Sequence, residues 1–285
     1  MLCCQQFGVT GRKQAPTFSL QSPLDEVGAA GSVSGLNLLV DERHRFLGKA
    51  HRYLPTHLQM VPNRDAIRYR LYSEAVSSQT LDHPFFARMW TMMSDHETPL
   101  LKKLRAENLE GLTGRVLEVG AGTGTNFEFY PATVTEVVAL EPETRLAPLA
   151  REAATSAAVP VSVIESTIEA MPTSEPFDAV VCSLVLCSVE HPDSVLWQLN
   201  SVLKPGGELR YFEHVASSGW RGGLQKLADV TLWPRIAGNC HTHRDTEATI
   251  TAAGFTVSAA RRQWTFPAWV PLPVSEVAVG RAVKA

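Results

Sequence analysis

The chain has 285 residues, 45% hydrophobic and 19% charged, which is enough apolar material for a sizeable core and excludes a largely disordered chain. Lysine and arginine total 26 against 29 acidic residues, so the formal net charge of −3 excludes the basic footprint of a nucleic-acid binder. The cysteines number five, an odd count that does not read as a disulfide scaffold and suits free thiols in a reducing compartment.

In chain order, residues 1–60 scatter Gly, Ser, Pro and Gln without a sustained period, as in Gln21-Ser22-Pro23 and the run from Gly28 to Gly35. They predict a flexible extension ahead of a working chain that begins near Met60. No apolar stretch follows Arg12 and Lys13, so no secretory signal is expected. The most apolar window, from Ala179 to Val189, is too short and too interrupted by serine to cross a bilayer. A soluble, cytoplasmic protein without an integral membrane segment is the expectation.

Residues 61–110 carry helical, amphipathic spacing and are expected to form a lid. Tyr69, Tyr72 and Val76 recur on one face, Pro84 breaks the pattern, and Phe85, Phe86, Met89, Trp90 and Met93 resume it. Pro99 belongs to the first turn of a further helix through Leu100, Leu101 and Leu104. From residue 111 the texture changes to strands alternating with helices. Strands are predicted at Arg115–Glu118, Glu136–Leu140, Val161–Ile164, Asp178–Ser183 and Glu208–Glu213, with helices across Leu146–Ala158 and Ser194–Leu203. Lys204-Pro-Gly-Gly207 reads as a turn. A helix near Thr246–Ala253 and strands at Phe255–Ser258 and Glu276–Val283 end the chain. Such alternation implies an α/β domain over 111–285 with a mostly parallel sheet and helices on both faces.

The sharpest motif is Glu118-Val-Gly-Ala-Gly-Thr-Gly124, expected between a strand and a helix. Glycines at 120, 122 and 124 let backbone turn tightly and approach a ligand closely. Nicotinamide, flavin and methyl-donor sites all use such a loop, but here Thr125 stands where the dinucleotide fingerprint has its third glycine. Glu118 suits a ligand with a cationic amino group better than a pyrophosphate. Glu141 ends the second strand, where a carboxylate accepts from ribose hydroxyls, a placement that also fits NAD. Pro142 stiffens the turn after it.

Taken together, Glu118–Gly124, Glu141, Phe177-Asp178 and Leu203-Lys-Pro-Gly-Gly207 resemble the class I S-adenosylmethionine-dependent methyltransferases over residues 111–285. The resemblance implies a Rossmann-like, doubly wound seven-stranded sheet with an antiparallel strand at its C-terminal edge. It implies S-adenosyl-L-methionine as cofactor, held by Glu118, Gly120, Ala121, Gly122, Gly124, Asn126, Glu141, Pro142, Thr167, Ile168, Ser183 and Leu184. Thr167 replaces the acid that commonly meets the adenine amino group; its hydroxyl and the Ile168 side chain are what remain for that ring. A narrower resemblance, carried by Val180–Val189, Phe212-Glu-His-Val-Ala216, Gly238–Asp245 and the tail with Trp264, Trp269 and Pro271-Leu-Pro273, is to the methyltransferase-like 7 group. Those enzymes are membrane-associated and methylate alkyl thiols and hydrogen sulfide. The present sequence is expected to lack an N-terminal anchor and differs in its His241 and His243, as a soluble bacterial-type relative would.

Methyl transfer from a sulfonium needs alignment more than a dedicated base. His214, at the carboxyl edge of the sheet where ligands of open α/β folds bind, is the first catalytic candidate, with Glu213 to orient it or the substrate. Arg244 is the third catalytic candidate, for a role at the substrate; the competing readings are that it pairs with a carboxylate such as Asp245 or Glu247, or that it helps close the site. Cys240, His241 and His243 invite a metal, but no second Cys/His pair stands at suitable spacing, so no metal is assigned. Cys182 and Cys187 read as packing residues. Trp220, Trp233, Trp264, Phe266 and Trp269 either roof an apolar acceptor pocket with the lid or cover the sheet edge. The sequence therefore suits methylation of a small hydrophobic acceptor, with thiol sulfur ahead of a quinone- or lipid-type carbon or oxygen; a non-catalytic donor-binding protein is the rival from another class.

Overall fold

The computed structural model describes residues 80–171, 174–267 and 269–285. The expectations for residues 1–60, and for the face carrying Tyr69, Tyr72 and Val76, lie outside them. The described chain opens with α1 (Pro84–Asp95) and α2 (Pro99–Leu109). Both begin on a proline, whose missing N–H is no loss in a first turn. Thr98 caps α2 through its hydroxyl, which accepts from Leu101 N. There follow β1 (Gly114–Val119), β2 (Val134–Leu140), α3 (Leu146–Ala154), β3 (Val161–Ile164), β4 (Phe177–Ser183), α4 (Pro192–Val202) and β5 (Leu203–His214). The last part holds α5 (Gly219–Asp229), α6 (Trp233–Ile236), α7 (Thr246–Ala252), β6 (Phe255–Trp264) and β7 (Glu276–Lys284).

The strands form one sheet in the order β3-β2-β1-β4-β5-β7-β6. Neighbours are parallel except at β7, which runs antiparallel to both β5 and β6. This is the expected doubly wound α/β class with its reversed strand. Alternation along each buried strand builds two apolar layers. Leu117, Val180, Cys182, Leu209 and Tyr211 face Val195, Leu196 and Leu199 of α4 and Ile250 of α7. Val116, Val137, Ala179 and Val181 belong to the opposite layer with Leu109 of α2 and Ala150 of α3. Leu104 of α2 extends that layer onto Phe212, Val277 and Val279. Arg210 of β5 donates to Asn108 O (2.9 Å) and Glu110 O (3.1 Å), which fastens the carboxyl end of α2 to the sheet.

The structure differs from the sequence reading at four places. The glycine loop runs into a single 3₁₀ turn at Phe127–Phe129 and not into an α-helix. Its Gly-Thr-Gly-Thr-Asn composition is poor in helix formers, and Pro131 stops continuation. Lys204–Gly207 is embedded in β5 as a bulge: Phe177 pairs with Leu203 but Ala179 pairs with Glu208. β6 extends to Trp264, and its outer residues, Arg261 and Arg262 among them, give the sheet a charged edge. Helices α5 and α6 were not expected, because Gly222 and Gly223 mask the first and the second is only a single turn.

Two glycines test this packing in opposite directions. A Cβ on Gly280 of β7 collides with the Tyr211 ring and with Ala259 O, so Gly280→Ala overpacks the sheet. A loss of about 1–3 kcal/mol is expected from urea denaturation. Gly223 of α5 is exposed, has no neighbour within 4 Å of a built Cβ, and has no positive φ, so Gly223→Ala stabilises by about 0.4–1 kcal/mol in the same measurement.

Candidate functional site

The carboxyl ends of β1, β2, β4 and β5 lie side by side in the sheet order, and the loops leaving them carry the chemistry-bearing residues. After β1, Gly120 N and Ala121 N both donate to Leu140 O (2.8 and 3.0 Å). Gly120 and Gly122 have φ of +68° and +59°, in the left-handed region that favours glycine. The space around them is equally restrictive. A Cβ on Gly120 would stand 2.5 Å from Val185 Cγ2, and one on Gly122 would stand 2.6 Å from Trp90 Nε1. The loop is thus enclosed by the end of β4 on one side and by α1 on another.

Glu141, only 5% exposed, binds this loop to the end of β2. Its Oε2 accepts from Gly122 N (2.6 Å) and its Oε1 from Glu143 N (2.9 Å). Pro142 O accepts from Leu81 N (3.0 Å), and the buried Glu143 accepts from His83 N, Arg145 N and Leu146 N. The chain just before α1 is thereby tied to the turn after β2, and Arg145 adds an ion pair to Asp82.

Glu118 is 2% exposed. Its Oε1 accepts from Asn126 Nδ2 (2.9 Å) and its Oε2 from Tyr130 Oη (2.7 Å). Asn126 Nδ2 also reaches Ser183 Oγ (3.0 Å), and Asn126 Oδ1 accepts from Arg105 Nη1 (2.9 Å). Arg105 in turn pairs with Glu97 at 2.8 Å. Expected donor-site residues from three segments, Glu118, Asn126 and Ser183, therefore share one buried network. Burial pushes the carboxyls of both Glu118 and Glu141 up to about 7, although each accepts hydrogen bonds that pull the other way.

Whether a methyl donor suits this place is tested by the polar atoms around the loop. Trp90 Nε1 is buried beside Gly122 and has no partner, so it offers a donor to an acceptor atom brought by a ligand. Each carboxylate oxygen of Glu118 and Glu141 has capacity for a further donor. The residues fit a ligand that carries both acceptors and donors, as S-adenosyl-L-methionine does. An open groove of about 430 Å³ on the outer side of the loop is lined by Thr91, Asp95, Gly124, Phe127 and Glu152, and does not include Glu118 or Glu141.

The remaining expected donor residues fall at different depths. Leu184 follows β4 with a φ of +62°, a conformation that a leucine adopts only under constraint, and its N–H donates to Phe212 O (2.7 Å). Ala121 is buried. A Cβ on Gly124 would press on Phe127 and Ala153. Thr167 is half-buried, whereas Ile168 is 7% exposed and packs within the apolar layer under α4.

The catalytic candidates gather in a second cluster. Glu213 is fully buried, and its carboxylate accepts from Val185 N (2.9 Å), Leu186 N (2.9 Å) and Cys187 N (3.1 Å). Glu213 therefore holds the loop after β4 and makes no hydrogen bond to the His214 ring. That ring instead places Nδ1 3.5 Å from Cys187 Sγ and 3.5 Å from Cys240 Sγ, and the two sulfurs are 3.7 Å apart. The contact with Cys240, and then burial, push the Cys187 thiol well up. Arg244 pairs with neither Asp245 nor Glu247: its Nη1 donates to Leu186 O (2.6 Å) and Val189 O (2.7 Å). Asp245 instead caps α7, and Glu247 pairs with Arg262. His241 and His243 stand outside the cluster. His241 Nδ1 lies 2.8 Å from Asn239 O, and His243 N donates to Asp229.

Sequence reasoning missed Tyr130 and Arg105, placed Trp90 on the lid without its contact at Gly122, and assigned Cys187 to packing. The aromatic roof is also distributed differently. Phe86 covers Gly238 and stacks on Trp90 (5.9 Å between centroids), whereas Trp220 and Trp264 flank Arg221 at the surface and Trp269 is 83% exposed.

Residues 117–211 match the family described as a methyltransferase domain. The chain is 34% identical over 207 residues to thiol S-methyltransferase TMT1B of Mus musculus, covering 70% of this chain and 82% of that protein. It is 29% identical over 131 residues to the ubiquinone biosynthesis O-methyltransferase of Pectobacterium carotovorum, covering 43% of this chain and 55% of that protein. Among solved structures, a methyltransferase-like protein of Bacillus halodurans superposes with a TM-score of 0.53 at 18% identity, covering 65% of this chain and 98% of that one, which is a likeness of fold. No helix among the described residues is long and apolar enough to cross a membrane.

The two raised carboxyls give stability a definite pH dependence. Their folded values of about 7 lie above the ordinary 4.5. Between those values the folded chain keeps protons that the unfolded chain has released. The contribution to stability is complete below about 4.5 and is lost as pH rises through about 7. Urea unfolding across this window is expected to show stability falling toward neutral pH, and Glu118→Gln to remove part of the slope. An unchanged slope in the variant contradicts the assignment.

Proposed function

Since the chain belongs to the class I S-adenosyl-L-methionine-dependent methyltransferases, we propose that it methylates the sulfur of a small hydrophobic thiol. The observation that carries the acceptor is the likeness to a thiol S-methyltransferase across most of that protein's length. The sulfur- and imidazole-bearing cluster beside the glycine loop supports it. Val185, whose side chain closes over Gly120, lies two residues before Cys187.

In this reading Glu118 favours the cationic amino group of the donor, with Asn126 and Ser183 completing the polar wall around it. Gly120, Ala121, Gly122 and Gly124 bring backbone close to the donor's methionine part. Glu141 accepts from the ribose hydroxyls, and Pro142, Thr167, Ile168 and Leu184 border the base. When bound, the donor supplies an electrophilic methyl group on a sulfonium. The protein's part is to hold the acceptor in line with it, to exclude water, and to present sulfur as thiolate. A free thiol as acidic as that of cysteine, with a pKa of about 8.5, is only a few per cent ionised at neutral pH, so ionisation is worth promoting. We place that step at His214. Glu213 and Arg244 are positioning residues: they fix the backbone of 185–189 against which the acceptor lies.

A quinone-type oxygen acceptor is the second reading, favoured by the likeness to a ubiquinone O-methyltransferase, although that likeness covers a shorter stretch. Incubation with labelled donor and a panel of alkyl thiols, hydrosulfide and phenols separates them. Methyl thioether is the expected product, and methylation of phenols with none of thiols overturns the proposal. Glu141→Ala removes charge-assisted hydrogen bonds at the donor, and calorimetric titration with S-adenosylhomocysteine is expected to show affinity weakened about tenfold to a hundredfold.

A further inference from the structure

Two thiols and an imidazole converge on one point although they come from three separate segments. Cys187 lies in the loop after β4, His214 ends β5, and Cys240 lies between α6 and α7. The edges of this triangle are 3.7 Å for sulfur to sulfur and 3.5 Å for each sulfur to Nδ1. A tetrahedral zinc ion with Zn–S of about 2.3 Å and Zn–N of about 2.05 Å separates two sulfurs by about 3.8 Å, and sulfur from nitrogen by about 3.6 Å. All three observed edges lie close to those values. From this geometry we propose that Cys187, His214 and Cys240 bind one zinc ion and leave its fourth position for the acceptor sulfur.

The surroundings are those of a prearranged ligand set. Cys187 is 1% and Cys240 5% exposed, so two ligands are shielded from water, while His214 is half-buried. The backbone on both sides is fixed. Glu213 holds the N–H of Cys187, His241 N donates to Cys187 O (2.7 Å), and Arg244 clamps the carbonyls of Leu186 and Val189. Such outer contacts orient ligands and tune the metal. Among the described residues, the two non-glycine positions with positive φ are Leu184 (+62°) and Asn239 (+63°). The first lies three residues before Cys187 and the second immediately before Cys240, so each cysteine is delivered by constrained backbone. Three protein ligands and an open position are the pattern of catalytic zinc, whereas structural zinc has four protein ligands.

The chemistry balances without a further reactant. Zinc binding displaces one proton from each of the two thiols, and both protons go to solvent. An acceptor thiol entering the fourth position loses its proton to solvent, since a thiol coordinated to zinc is deprotonated. A lone pair of that sulfur forms the new bond to the methyl carbon. The bond from that carbon to the sulfonium sulfur breaks, and its electron pair stays on the sulfur of S-adenosylhomocysteine. The thioether product is neutral and a weak ligand, so the next thiol displaces it. In this scheme His214 acts as a ligand, and the metal carries out the ionisation placed there. The inference rests on the thiol reading for its substrate, but the ligand set stands on geometry alone.

The test uses the full chain in a Cys3→Ser, Cys4→Ser background, so that the N-terminal pair contributes no metal. Elemental analysis after dialysis is expected to find one zinc per chain. Cys187→Ser and Cys240→Ser are each expected to lose it, and Cys182→Ala, outside the cluster, to retain it. Should a serine variant fail to fold, cobalt substitution of the parent chain provides the second measurement. A sulfur-to-cobalt charge-transfer band and intense tetrahedral visible bands are expected, and an added alkyl thiol is expected to shift them. Stripping the metal with a chelator is expected to lower thiol methylation at least tenfold while calorimetric binding of S-adenosylhomocysteine is unchanged. Three results overturn the inference: no bound metal in a chain that methylates thiols, cobalt bands indifferent to thiol, or a Cys187–Cys240 disulfide in place of metal under reducing purification. Metal binding with turnover of phenols alone sinks the thiol reading and leaves the metal site in place.

Discussion

Three parallel strands of this sheet have a buried carboxylate within one residue of their last position, and this edge of the sheet depends on what those carboxylates hold. Glu118, Glu141 and Glu213 are 2%, 5% and 0% exposed. Burying a carboxylate is costly unless donors surround it. Here the donors are the N–H groups of the loops themselves for Glu141 and Glu213, and the Asn126 and Tyr130 side chains for Glu118. The loops leaving the sheet would otherwise present unpaired backbone N–H groups in a dry place. Glu141 and Glu213 convert that liability into a fixed loop position. The same burial raises the carboxyls of Glu118 and Glu141, the two groups proposed to meet the methyl donor, so in that proposal the folding constraint and the binding site are one arrangement.

The segment ahead of the sheet is built into that edge. Helix α1 contributes Trp90 against Gly122 and Phe86 against Gly238, and residues 81–83 bond to the turn after β2. Helix α2 belongs to a different layer. Its Leu104 and Leu109 are fully buried against the sheet, and its Arg105 reaches the Glu118 network through Asn126. One continuous pair of helices therefore couples three things: cover over the glycine loop, the core of one face, and the charge balance behind Glu118.

How much of this was legible in the sequence follows from the range of the interactions. The β1 to β4 strands and the reversed β7 are short apolar runs bounded by Gly, Pro and polar residues, and local pattern places them within two residues. The glycine loop and Glu141 are legible because their chemistry is written at fixed offsets from strand ends. The 3₁₀ turn after the loop is not, because strand–loop–helix is the usual order and only the Thr, Asn and Pro131 content argues against it. The contact of Trp90 is hidden for another reason: its spacing places it on an amphipathic helix, but nothing local says that its indole lands on Gly122. Cys187 and Cys240 stand 53 residues apart and His214 lies between them, so no spacing rule for metal ligands applies. Cys187 sits in an apolar run, which is also where packing cysteines occur. Its partners are decided by the sheet order, which brings the ends of β4 and β5 together.

The roles of Glu213 and Arg244 show why residue type alone assigned them poorly. A carboxylate next to a histidine invites a dyad, but successive residues of a strand point to opposite faces. Glu213 therefore turns away from the His214 ring and toward the loop after β4, where three N–H groups compete for it more effectively than one imidazole. Arg244 likewise has carboxylates next to it in sequence, yet its guanidinium meets two carbonyls whose own loop has no strand partner. Both charged groups act on the loop between β4 and α4 from opposite sides, one through its N–H groups and the other through its C=O groups. A loop held at both polarities has little freedom left. That rigidity is what in-line transfer requires, because an acceptor displaced by an ångström from the line of the departing bond forfeits much of the advantage of being bound at all.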